Sequence, residues 1–268
     1  MPSNEQVTWL SEYQENGQTA FRIGARGDDV IAEWIGIARL VARRDGSASA
    51  LQVVPGADAE DVEKIEKGSA MLLLRHLQGK RALHGAVIGD GERAVALVGR
   101  SGQGKSTLAA ALCAQGAVLF ADDAIAIDEG GAGTWVVVPT ETNHWLDAST
   151  RTFLGDPDAA GWEGKWASRA SAVASRAAPL IAVVELVFED STAPPALVRS
   201  SGLEGMASLV PQTVRFALDD EERHKQELGV LSRLVTDVPM FRLVRSRDIS
   251  RLDASVRLVQ QLVQGSLP

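Results

Sequence analysis

The chain has 268 residues, enough for one large domain or for a main domain with a small companion. Its net charge of -8 argues against the basic stripe that a nucleic-acid-binding surface needs. Cys113 is the only cysteine, so no disulfide forms within the chain, and the apolar runs fall far short of the ~18 residues of a membrane-spanning helix. The opening MPSNEQVTWLSEY has neither the basic start nor the apolar core of a signal peptide, and a cytoplasmic protein is the expectation.

Residues 5–54 alternate the apolar stretches VTWL, TAFRI, DVIAEWIGIARLVARR and ALQVV with the turn segments NGQ, RGDD and RDGS. That rhythm predicts a small antiparallel β subdomain over residues 1–57, closed by the turn at Val53–Ala57. Trp9, Phe21, Trp34 and Ile37 are its candidate core, and a peptide-docking surface is the other use for the same side chains. From residue 58 the period changes, and a second domain is expected over 58–268. DAEDVEKIEKGSAMLLLRHLQGK predicts two short helices interrupted at Gly68, with acids at the start to suit the helix dipole.

In RALHGAVIGDGERAVALVGR, two apolar runs flank the hairpin signal Gly89-Asp90-Gly91-Glu92. The second run, Ala94 to Val98, leads into Gly99-Arg100-Ser101-Gly102-Gln103-Gly104-Lys105-Ser106, which fills the pattern G-x-x-x-x-G-K-S. Ser106 to Gln115 then reads as a helix closed by Gly116. Strand, glycine turn and helix in this order make an anion cradle, because turn N–H groups and the positive helix end face the same point. The candidate nucleotide contacts are Gly99, Ser101, Gly102, Gln103, Gly104, Lys105, Ser106 and Thr107. Lys105 is suited to the β- and γ-phosphates and the Ser106 hydroxyl to Mg²⁺.

The next predicted strand, Ala117 to Ala121, ends in Asp122-Asp123. Carboxylates there can hold Mg²⁺ or accept a hydroxyl proton, and as neighbours they repel unless a cation intervenes. His84 heads the hairpin strand beside the glycine turn and is a further site candidate. After strands Ala124–Asp128 and Thr134–Val138, the polar segment Pro139 to Trp145 offers Glu141, Asn143 and His144 as nucleotide or substrate contacts, with a helix starting near Trp145 or Leu146. Residues 155–178 read as a long loop, a candidate lid able to bring Lys165, Arg169 or Arg176 onto transferring phosphates. A central strand, Leu180–Phe188, follows, then helices Gly202–Val210 and Asp219–Val235, strand Met240–Val244 and helix Ile249–Val263.

The stretch HGAVIGDGERAVALVGRSGQGKSTLAAALCAQGAVLFADD, residues 84–123, resembles the catalytic core of the HPr kinase/phosphorylase superfamily, bacterial P-loop serine kinases related to ATP-dependent PEP carboxykinases. The His-Gly start, the two-strand lead-in, the loop ending GKS and the strand ending Ala-Asp-Asp stand in that family's order, with its short gap from Ser106 to Asp122. A looser resemblance, including Gly164–Trp166 and LIAVVELVF, extends over roughly residues 80–265. The resemblance implies an α/β fold, a P-loop kinase core of the HPr kinase/PEP carboxykinase type with a small β-rich N-terminal subdomain. It implies ATP and Mg²⁺ as cofactors and places His84 with the catalytic residues. Asp122 would be the base that takes the serine proton and Asp123, with Ser106, would position the metal, although the two aspartates can exchange roles. Lys165 resembles a basic residue that reaches the phosphates from a mobile loop.

The Glu-Ile-Arg-Gly-Leu-Gly type segment of the HPr kinases is absent, and the N-terminal part is smaller than theirs. In that the chain is similar to divergent HPr-kinase-like proteins, some of which phosphorylate serine on ribosomally made peptides such as lasso peptides. The expectation is a kinase that transfers the γ-phosphate to a serine hydroxyl of a peptide or protein. A nucleotide-binding regulatory ATPase and a small-molecule phosphotransferase or carboxykinase are the alternatives. No nucleic acid or membrane partner is expected, and homo-oligomers, including hexamers, occur in the family it resembles.

Overall fold

The computed structural model describes residues 6–155, 165–218 and 221–266. Two compact units divide the chain, Met1–Arg81 with Arg215–Gln226 and Ala82–Val214 with Glu227–Pro268.

In the first unit, β1 (Thr8–Glu15), β2 (Gln18–Arg26), β3 (Asp29–Trp34), β4 (Ala38–Arg43) and β5 (Ser49–Val53) pair in sequence order as an antiparallel meander. Asn16 and Gly17 both take positive φ, 51° and 78°, which is the two-residue turn whose twist suits a hairpin. Strict alternation along β4 turns Ala38, Leu40 and Ala42 inward. Asp58 caps α1 (Ala59–Ile65), accepting from the N–H groups of Glu60 and Asp61. A π-helical turn, Glu66–Ala70, joins α1 to α2 (Met71–Leu77) without a break, so Gly68 widens the helical run rather than interrupting it.

Ile65, Ala70, Leu73 and Leu77 of this run pack with Ile23, Val30 and Leu40 of the sheet in one core. The first compact unit therefore extends past the boundary expected at residue 57, because the apolar face of the meander needs a helical cover. Phe21 and Trp34 meet at 5.2 Å and border that core together with Ile37. Trp9 lies outside it, with the Arg22 guanidinium 3.9 Å above its ring.

The second unit is a mixed α/β layer structure. Its strands are β6 (Arg81–Gly89), β7 (Ala94–Val98), β8 (Val118–Glu129), β9 (Trp135–Val138), β10 (Asn143–Asp147), β11 (Lys165–Arg169), β12 (Ala178–Phe188), β13 (Ala196–Arg199) and β14 (Met240–Arg245). Its helices are α3 (Lys105–Ala114), α4 (Ala148–Phe153), α5 (Gly202–Leu209), the later turns of α6 (Glu221–Asp237) and α7 (Leu252–Val263).

Seven strands form the main sheet in the order β13-β14-β12-β7-β6-β8-β9, and β12 runs parallel to both β7 and β14. The apolar run of β7 is buried on both sides. Val95 and Leu97 join Val184, Leu186 and the helices α3 and α7 in one core, while Ala94, Ala96 and Val98 join Val183, Leu231 and Leu234 in another. Helices on both faces of the sheet explain why β7 and β12 read as unbroken apolar stretches.

Three local expectations are corrected. Asp122 and Asp123 do not end a strand: β8 runs through them for 12 residues, with Asp123 at φ 83°. The last three residues of the polar segment Pro139 to Trp145 belong to strand β10, paired with β11 from Asn143↔Arg169 to Asp147↔Lys165, and Asp147 caps a helix that begins only at Ala148. Of the expected lid over residues 155–178, residues 156–164 lie outside the described residues, as does the Lys165 side chain, and Lys165–Arg169 is strand β11 rather than loop. Among the described residues no helix is long and apolar enough to cross a membrane.

Candidate active site

Three parallel strands deliver the parts of one cleft. Val98 ends β7, Phe188 ends β12 and Arg245 ends β14, and chain leaving the carboxyl edge of such strands is where α/β sheets build sites. Gly99 follows β7 at φ 135°, and a Cβ placed there would stand 2.9 Å from the Leu186 carbonyl oxygen. The turn ends at Gly104, whose left-handed conformation, φ 75°, starts α3 and aims the free N–H groups of its first turn back at the loop.

Lys105 folds its ammonium over the loop, donating to the carbonyls of Gly99 at 2.7 Å and Arg100 at 3.3 Å. The Ser106 hydroxyl donates to Asp122 Oδ1 at 2.8 Å. The other carboxylate oxygen of Asp122 accepts from the Trp145 backbone N–H at 3.0 Å, and the group is only 3% exposed. His144, also 3% exposed, places Nδ1 3.7 Å from Asp122 Oδ2, with neither ring nitrogen hydrogen-bonded. Asp123 is exposed to the cleft and has no hydrogen-bond partner among the described residues.

Two further pieces reach the cleft from distant sequence. A bridge pairs Leu83 with Thr213, so the alternation of side chains sets exposed His84 and buried Gln212 on one face. Thr107 Oγ1 meets Thr150 Oγ1 at 2.9 Å, tying α3 to α4. The cavity between these parts measures about 810 Å³, room for a nucleotide-sized ligand. Arg100, Lys105, Arg245 and Arg247 line it against three carboxylates, Asp122, Asp123 and Asp147, a local positive excess in a chain of net charge -8.

Most of the residues singled out in the sequence meet here: His84, Ser101, Gly102, Gly104, Lys105, Ser106, Thr107, Asp122 and Asp123. Gly99 and Gln103 support the loop from behind, Gln103 by accepting the Phe188 N–H at 2.7 Å. Glu141 is occupied by the N–H groups of Thr142 and Asn143 and by the Trp145 indole, so it braces β10 rather than facing the cleft. Arg176 pairs with Glu92, and Arg169 sits in register with Asn143; neither lines the cleft. Arg245, Arg247, Phe188, Gln212, Trp145 and Thr150 were not anticipated. For Phe188 a signal existed, since it closes the predicted central strand, whereas Arg245 falls just past the predicted strand Met240–Val244.

The donor set suits Mg²⁺ bound mainly through phosphate oxygens: one hydroxyl, Ser106, backed by one buried carboxylate, Asp122. Among the described residues no group of three or more His, Cys, Asp and Glu could hold a metal by itself.

No protein-family model matches the chain, and no curated protein matches it. Among solved structures it is similar to the Hpr(Ser) kinase/phosphatase from Coxiella burnetii, at 12% identity and a TM-score of 0.36, over 69% of this chain and 93% of that one.

Proposed function

We propose that the cleft binds ATP with Mg²⁺ and transfers the γ-phosphate to a serine hydroxyl of a peptide or protein. The observation that carries the reading is the linked set of the glycine loop, Lys105 and the Ser106–Asp122 bond, with the free carboxylate of Asp123 beside it. The resemblance of residues 84–123 supports the same chemistry.

In this reading the loop amides and Lys105 hold the β- and γ-phosphates, Lys105 exchanging the Gly99 and Arg100 carbonyls for phosphate oxygens. Mg²⁺, when bound, neutralises charge on those oxygens, and the Ser106 hydroxyl would hold it with Asp122 orienting that hydroxyl. The geometry favours Asp123, not Asp122, as the base, because both oxygens of Asp122 are already engaged. Asp123 takes the proton of the acceptor hydroxyl as its oxygen bonds to the γ-phosphorus. The bond from that phosphorus to the bridging oxygen breaks, and ADP leaves with the electron pair.

The test incubates the protein with ATP, Mg²⁺ and a pool of serine-containing peptides, reading ADP release and peptide mass. The reading expects the mass gain of one phosphoryl group on serine, lost in Lys105→Ala. ADP release that no peptide accelerates would instead fit a regulatory ATPase.

A further inference from the structure

The end of β14 carries a buried positive charge. Arg245 is 8% exposed, and its Nη2 donates to the carbonyl oxygens of Gln103 at 2.9 Å and Gly104 at 3.3 Å. Its guanidinium carbon lies 4.5 Å from the centre of the Phe188 ring, with Arg247 at 4.8 Å from the same ring. Among the described residues it has no carboxylate partner, and its Nε is buried without a hydrogen bond. Burial lowers its pKa to about 10, so it is still charged at neutral pH. A buried cation without a counter-ion is unfavourable unless an anion approaches it, and this one lines the cleft directly behind the glycine loop.

The contact also has a geometric effect. By donating to the carbonyl oxygens of both Gln103 and Gly104, Arg245 holds the last two peptide groups of the turn. The Phe188 ring packs against the guanidinium, and the same residue's N–H is bound by the Gln103 side chain, so ring, guanidinium and loop are linked.

We infer that Arg245 is a positioning residue of the phosphate site, which orients the Gln103–Gly104 turn and supplies a buried positive charge that the phosphates of a nucleotide neutralise. This rests on the nucleotide reading above and adds a residue outside the glycine-loop pattern to it.

Inorganic tripolyphosphate and ATP are the probes, titrated calorimetrically into the full chain, the Arg245→Met variant and the Arg245→Lys variant, with folding checked by circular dichroism. Arg245→Met is expected to bind both probes about tenfold more weakly or worse, the scale of losing a charged hydrogen-bonding group. Its affinity should also depend less on salt, since one fewer charge is being screened. Arg245→Lys keeps the charge and loses the fork, so its loss should be about three- to tenfold with the salt dependence unchanged. Folded Arg245→Met with wild-type affinity and salt dependence overturns the inference while the nucleotide reading stands. If Arg245→Met does not fold, Arg245→Lys decides, and wild-type affinity in it overturns the inference. Failure of the unmodified chain to bind either probe removes the nucleotide reading and this inference together.

Discussion

The Ser106 hydroxyl and the Asp122 carboxylate are joined by a 2.8 Å hydrogen bond between the first turn of α3 and the middle of β8. The bond gives the two neighbouring aspartates different work. Asp122 is consumed by Ser106 and the Trp145 N–H, while Asp123 is left open to the cleft.

Asp122→Asn keeps the shape and removes the charge behind Ser106. Loss of such a backing carboxylate typically lowers metal affinity or activity by about 10- to 100-fold. A Mg²⁺ titration of ATP affinity should therefore shift to higher metal concentration by roughly that factor. An unchanged Mg²⁺ dependence would detach Asp122 from the metal.

Asp123→Asn should act on turnover instead. Removing a general base lowers the rate by about 10²- to 10⁴-fold. The affinity for ATP with Mg²⁺ should stay within about twofold, because Asp123 makes no hydrogen bond to the loop among the described residues. Asparagine tolerates the left-handed conformation at φ 83°, so the variant should fold. Equal transfer rates in the two proteins, measured by phosphopeptide formation, would remove Asp123 from the chemistry.

Gly99→Ala tests the backbone of the turn. The added Cβ would meet the Leu186 carbonyl oxygen at 2.9 Å at a φ of 135°. A destabilisation of about 1–3 kcal/mol is expected from urea unfolding, together with weaker ATP binding. Wild-type stability would show that the turn has room the structure does not give it.

Cys113 lies 3% exposed inside α3, and burial, assisted by the Asp122 charge, pushes its thiol up to about 12. The native chain should therefore react slowly with a disulfide reagent at pH 8 and fast in urea. Because the folded state raises this pKa, the thiol's contribution to stability is complete below its ordinary range near 9 and declines as pH climbs towards 12. Rapid native-state labelling at pH 8 would contradict the burial.

Much of this site was legible in the sequence because local rules govern it. A glycine turn between an apolar strand and a helix has one common use, and Lys105 and Ser106 are placed by the turn itself. The alternation in β4 and the unbroken apolar run of β7 likewise announced an open and a doubly covered sheet. What escaped was non-local. Nothing near Gln212 signals its approach to His84, which depends on a single bridge between Leu83 and Thr213. Arg245 reaches the loop only because β14 pairs with β12, which pairs in turn with β7. The strand through Asp122-Asp123 was cut short in expectation because adjacent acids resemble a turn, whereas Asp123 absorbs the irregularity in one left-handed residue and lets β8 continue.

Whether this cleft holds the phosphates of a nucleoside triphosphate is decided by calorimetric titration of ATP with Mg²⁺ into the unmodified chain and into Lys105→Ala. One binding site per chain is expected in the first protein and a loss of affinity of at least about tenfold in the second. Absence of binding to the unmodified chain, or equal affinity in folded Lys105→Ala, would contradict the nucleotide reading.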